Sequence, residues 1–219
     1  NLNGRKPQPA LEIRIVDDIT PGSRTVYAPF TGWLDAFGWG AGASGSCGGT
    51  ACGNSAAAGY LRQRVTRGQA ITYTVGTRGA GASATNPGNA GTATSLTIGA
   101  RVCTSNGGAV STISAVAAAA TASGWDYNRT GGLGALVGGA DGTSGEGGGV
   151  SGNDLGGGAP GFSDLPLALR GGDGGLGSTG VPVPGAEPGA GGGANTNGTA
   201  VSGAGGPGKV LLIFERALL

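Results

Sequence analysis

Glycine occupies 52 of the 219 positions, and much of it falls in short runs with a spacing of three. Gly139, Gly142, Gly145 and Gly148 form one run, Gly171, Gly174, Gly177 and Gly180 a second, and Gly42, Gly45 and Gly48 open a third. Three residues per turn is the repeat of the extended, left-handed polyproline II helix, which has no internal hydrogen bonds. A residue without a side chain on one edge of each turn lets neighbouring helices approach until their backbones bond to one another. Collagen needs glycine at its axis for the same steric reason. No proline stands at the intervening positions of these runs, and each run is short, so a collagen triple helix is excluded. The pattern predicts several short antiparallel segments stacked into a layered bundle.

Glycine and proline together make up 63 residues (52 and 11), a fraction that often marks low complexity. Disorder, however, goes with low hydrophobicity and high net charge. Here the net charge is +1, charged residues are 11% and apolar residues 38%, so composition favours a folded chain. Aromatic residues are only 5%, which argues against a thick apolar core throughout and gives backbone hydrogen bonds a larger share of the structure. Near-neutral charge offers no basic footprint for nucleic acid. No stretch approaches the ~18 consecutive apolar residues of a spanning helix, so no membrane insertion is expected. The chain begins at Asn1 and contains no Met, as expected of a fragment or processed product.

Strand patterns stand at both ends. LEIRIV (Leu11 to Val16) alternates apolar and charged residues, and DDITPGSR (Asp17 to Arg24) reads as a turn about Pro21-Gly22. Strands TVYAPF and WLDAFGW follow, then a glycine tract from Gly38 to Gly59. YLRQRV, turn TRGQ and AITYTVG read as a hairpin with Gly68 in the turn. A second tract spans Gly76 to Gly91 before strand TATSLTIG; AVSTISAVAAAATA fits a strand or a short helix. From Gly131 to Gly208 the glycine tract is broken only by FSDLPLALR and VPVPGAEP, and the chain closes with strand KVLLIFERAL. The last strand, apolar on both faces, is expected at the centre of a sheet. The expected fold is mainly β and irregular. A β-sandwich base from the N- and C-terminal strands carries a polyglycine II layer, with residues 1–24 as an attachment strand and turn and 25–219 as the glycine-rich domain.

Catalytic and cofactor motifs fail one by one. GAGGPGK (Gly203 to Lys209) has phosphate-loop spacing, but Val210 replaces the required Ser or Thr and a strand follows instead of a helix. GGADG and GGDGG do not complete the calcium-binding nonapeptide, so Asp141, Glu146, Asp154 and Asp173 read as solvated turn residues. GASGS and GVSGN are not nucleophile elbows, and the chain has no His, the commonest general base. The sequons at Asn128 and Asn197 matter only in a eukaryotic secretory route, for which nothing argues. Cys47 and Cys52 in CGGTAC either bridge across a tight turn, leaving Cys103 over, or all three are buried thiols. Three Cys without His make a poor zinc site. No enzyme activity, cofactor or metal is expected.

Three phrases recur in order: TVYAPFTGWLDAFGWGAGASG, VTRGQAITYTVGTRGAGA and GAGGPGKVLLIFE. Together, over Thr25 to Glu215, they resemble the glycine-rich domain of bacteriophage tail-fibre proteins. The plan is similar to that of the separate adhesins capping long tail fibres of T-even-like phages. The chain departs from that family in its longer glycine-free inserts and its well-formed N-terminal strand region. The resemblance implies a virion location and a sandwich of polyglycine II helices whose intervening loops touch a host receptor. Its partners would be an outer-membrane protein or polysaccharide on the host and other virion fibre proteins. An antifreeze protein built from the same helices and a bacterial cell-surface matrix protein are the alternatives.

Glycine helices offer little side-chain chemistry, so recognition is expected on the inserts, as binding residues favour loops on rigid scaffolds. WDYNRT leads: Trp125, Tyr127 and Arg129 belong to types enriched at dominant contacts, and Asp126 and Asn128 add polar ones. Phe162, Ser163 and Asp164 come next. Against this stands the expectation that Trp125 and Tyr127 simply cover the end of the sandwich. Trp33 and Trp39, in alternating strands, are expected in the core.

Overall fold

A computed structural model describes residues 11–110, 112, 113, 115, 117–134, 182, 184–186, 188–195, 197, 198 and 200–217. In chain order the strands are β1 (Leu11–Asp18), β2 (Gly22–Tyr27), β3 (Gly32–Trp39), β4 (Ala58–Val65) and β5 (Ala70–Val75). Then come β6 (Thr94–Ile98), β7 (Arg101–Ser105), β8 (Ala122–Ser123), β9 (Tyr127–Arg129) and β10 (Lys209–Ala217). They form two five-stranded sheets, ordered β1-β10-β3-β4-β9 and β2-β5-β6-β7-β8, and every pairing is antiparallel. The described residues contain no helix. The expectation of a mainly β chain therefore holds.

Period-two alternation explains which side chains meet between the sheets. From the first sheet Leu34, Leu61, Val210, Leu212 and Phe214 point inward, and from the second Ile71, Tyr73, Val75, Leu96, Ile98 and Cys103 meet them. Each such side chain contributes roughly 1.5–3 kcal/mol when fully enclosed. β10 lies between β1 and β3, as its apolar character on both faces requires.

The expected hairpin over Tyr60 to Gly76 is corrected. Its turn exists: Gln69 N–H donates to the Thr66 carbonyl at 3.0 Å, and Gly68 has φ 80°. Yet β4 belongs to the first sheet and β5 to the second. The turn is held by Ala28 at the end of β2, which donates to Gln69 and accepts from Gly68, both at 2.9 Å. One apolar face per strand suits a hairpin and a crossing between sheets equally well, so the pattern could not separate them. The true hairpin, absent from the sequence reading, is β6 to β7, turning at Gly99 with φ 59°. All three cysteines are buried thiols, and no disulfide joins Cys47 to Cys52.

Beyond the sheets the glycine-rich stretches bond to one another with a strict repeat. The N–H groups of Gly40, Ala43 and Ser46 donate to the carbonyls of Ala57, Asn54 and Ala51. Those of Ala41, Ser44 and Cys47 go to Thr92, Asn89 and Asn86. Those of Gly42 and Gly45 go to Gly206 and Gly203. Each successive N–H thus turns to a different neighbour, every third returns to the same one, and the partner numbers descend by three, as in antiparallel chains. Carbonyls of the same stretch accept from other neighbours: Ala41 from Gly108 (2.8 Å), Gly42 from Gly79 (2.9 Å) and Ala43 from Gly192 (2.9 Å). Residues 40–47 and 51–57 are all buried. The spacing of Gly42 and Gly45 has a direct cause, because a Cβ there would collide with the carbonyls of Ala190 and Gly193. The runs beginning at Gly139 and Gly171 lie outside the described residues.

Candidate functional site

WDYNRT is a structural corner of the sandwich and the start of an edge strand. Trp125, expected at a contact surface, is only 4% exposed and belongs to the core cluster. Its indole lies on Gly38 and Gly59, where a Cβ would meet the ring. Burial of so large an apolar ring outweighs exposure for contact, and its Nε1–H has no hydrogen-bond partner. Asp126 ties the two sheets together: it accepts from the Arg62 backbone N–H of β4 at 2.8 Å and pairs with Arg101 of β7 at 2.7 Å. Burial pushes its carboxyl up, but the Arg62 N–H and the Arg101 guanidinium outweigh this and hold it below its ordinary value. Asn128 turns back, donating from Nδ2 to the Trp125 carbonyl at 3.2 Å. Arg129 is partly buried, which lowers its pKa. Tyr127 is 52% exposed and is the aromatic face this insert leaves open. Phe162, Ser163 and Asp164 lie outside the described residues.

Tyr127 ends a row of aromatic rings on the outer face of the first sheet. Trp39 and Phe37 stack with centroids 6.2 Å apart, Phe37 meets Tyr60 at 4.8 Å, and Tyr60 meets Tyr127 at 5.8 Å. Register explains the row, since β3, β4 and β9 place Phe37, Tyr60 and Tyr127 directly opposite one another. The Asp35 carboxylate accepts from the Tyr60 hydroxyl at 2.6 Å and pairs with Arg62 at 3.2 Å. Burial first, and then that hydrogen bond, push the Tyr60 phenol up to about 12. Trp33, expected in the core, is instead 40% exposed on this outer face, with Arg62 and Arg64 over its ring at 5.2 and 5.3 Å. Its alternation with Leu34 was legible, but which alternate faced outward was not.

A third surface was missed altogether. The stretches 40–48 and 51–57 leave β3 and return to β4, 76–82 and 86–92 join β5 to β6, and 200–208 lead into β10. Their turns therefore gather at the end remote from the sheets. Thr50 N–H donates to the Ile113 carbonyl at 2.8 Å, and Cys47 bridges to both Asn86 and Asn195. Asparagines fix the turns: Asn86 Nδ2 donates to the Ser83 carbonyl (2.6 Å), and Asn195 Oδ1 accepts from Gly198 N–H (2.7 Å). Thr85, Thr112 and Asn197 are exposed there. Beside them, Gly81, Ser83, Asn86 and Asn89 help line an open polar depression of about 360 Å³. The signal was present as Asn, Ser and Thr breaking the glycine pattern in SATN and NTNGT.

Among the described residues, no group of three Cys, Asp or Glu side chains is placed to hold a metal ion. Comparison with curated proteins returns no matching sequence. A family model described as a glycine-rich domain matches residues 19–215, from the end of β1 into β10. Strands β2 to β9, the interbonded glycine stretches and most of the closing strand fall within that match, and the chain belongs to this glycine-rich domain family.

Proposed function

We propose that the chain is a non-enzymatic bacteriophage virion fibre or spike protein, a receptor-binding adhesin that holds its contact residues at the end of a polyglycine II bundle. The observation that carries this reading is the bond repeat of residues 40–47, with N–H groups of every third residue directed at one neighbour. That is the bonding expected of a helix with three residues per turn and no internal hydrogen bonds. Such a bundle is stiff and chemically plain, which suits a stalk. Its turns carry Thr85, Thr112 and Asn197, exposed polar groups able to address hydroxyls or peptide groups of an outer-membrane protein or polysaccharide. The sheets at the opposite end suit attachment to other virion fibre proteins.

Attachment to host cells tests the proposal. Thr85→Arg and Asn197→Arg are expected to weaken binding at least about thirtyfold, the effect of losing ~2 kcal/mol, with unchanged melting temperature. Normal attachment by both variants would remove the bundle end as the contact surface. Loss of attachment in Tyr127→Ala alone would move contact to the aromatic row. Thermal hysteresis in solutions of the purified protein would favour ice binding instead.

A further inference from the structure

β1 stands at the edge of the first sheet, with β10 on one side and no strand of the described residues on the other. An open edge presents unpaired N–H and C=O groups that template a further strand, and natural sheets blunt it with proline, bulges or inward charges. β1 carries inward charge, because Glu12 and Arg14 share the row of Val16, which packs against the core, but its outer row is apolar. Its sequence LEIRIVDD has no proline, and it pairs with β10 without interruption from Leu11↔Ala217 to Asp18↔Val210. Leu11, Ile13 and Ile15 form one row and are 56, 46 and 63% exposed. The other row begins with Glu12 and Arg14; the Arg14 side chain is 68% exposed and stands 3.7 Å from Glu12 of its own strand.

We propose that β1 pairs antiparallel with β1 of a second copy of this chain, about a two-fold axis through Ile13. Charge and apolar matching together point to this occupant and register. Centred on Ile13, Glu12 faces Arg14 of the second copy and Arg14 faces its Glu12, while Leu11 and Ile15 face each other on either side of an Ile13 pair. Opposite charges and apolar side chains directly across a strand pair are favourable, and like charges are not. Centring on Glu12 opposes two carboxylates, and centring on Arg14 opposes two guanidinium groups. Centring on Ile15 sets Glu12 against Asp18 and Ile13 against Asp17. A shift by a single residue would also carry the isoleucines onto the charged face. β1 runs toward the glycine bundle, since Asp18 lies opposite Val210 at the start of β10. Its mate must run the other way, so the two bundles point in opposite directions from one continuous sheet.

Sedimentation equilibrium on the full chain should give a dimer. Arg14→Glu and Glu12→Arg should each be monomeric alone, and an equal mixture of the two should dimerise, because every facing pair is then opposite in charge. A monomeric wild-type chain, as when another protein or another segment covers the edge, overturns the proposal. So does a dimer that survives both substitutions. Glu12 also pairs with Arg216 at 2.6 Å, so its replacement can disturb β10. Cross-linking supplies an independent readout. Facing residues in antiparallel strands have Cα atoms about 4.5–5.5 Å apart, within the ~4.4–6.8 Å reach of a disulfide. Ile13→Cys should link two chains on oxidation and Ile15→Cys should not. The reverse result, or no link at position 13, overturns the register.

Discussion

At the residue scale, glycine acts here through what it leaves out. Gly42 and Gly68 make the contrast. A Cβ on Gly42 would strike the Ala190 carbonyl, which belongs to rigid backbone, whereas Gly68 has open space around it and is required for its φ of 80°. Gly42→Ala is expected to cost at least the ~1–3 kcal/mol of overpacking. Gly68→Asn, which tolerates the left-handed region, should stay within about 0.5 kcal/mol, the range of ordinary surface changes. Chemical denaturation of both variants checks the pair. The spacing of three made Gly42 and Gly45 legible in advance. Gly38 and Gly59 were not, because their reason is a ring supplied by distant Trp125. For Trp125 itself, Trp125→Ala should cost ~3–5 kcal/mol and, under the proposed adhesin function, leave attachment by the refolded protein unchanged. Trp125→Phe should cost clearly less, because the indole N–H has no partner to lose. A loss of attachment at full stability in Trp125→Ala would contradict the burial seen here.

Elements differ in how far local sequence determines them. β3 and β10 were legible because apolar residues fill most of their length, whereas β7 was not: RVCTS shows only Cys103 and Ser105 inward and leaves Val102 58% exposed. β9 was read as part of a binding insert because its strand character comes from pairing with Ala58 to Tyr60 rather than from its own residues. Which sheet a strand joins was also hidden, since β4 and β5 follow one another through a good turn and then part. Within β10 the alternation makes a sharp forecast. Leu212 is wholly buried between the sheets and Leu211 is half-buried on the outer face. Leu212→Ala should cost ~2–5 kcal/mol and Leu211→Ala distinctly less, as read from denaturation midpoints. Equal losses would contradict the register of β10 against β3.

At the scale of the whole molecule, two kinds of order share one chain. The sheets are specified by side chains with a period of two, and the glycine stretches by backbone bonds with a period of three. The transition is abrupt: Trp39 still belongs to the ladder with Lys209, and Gly40 already opens the repeat by donating to Ala57. That repeat constrains how such a protein can change over evolutionary time. One residue inserted between Ala43 and Ser44 would turn every later N–H of the stretch by a third of a revolution, away from its own carbonyl and toward another neighbour's. Three inserted residues would restore all directions and merely lengthen the stretch. The length of these stretches should therefore drift in steps of three among descendants of this chain. The turns around Thr85 and Asn197, outside that phase rule, are left free to vary in length and composition.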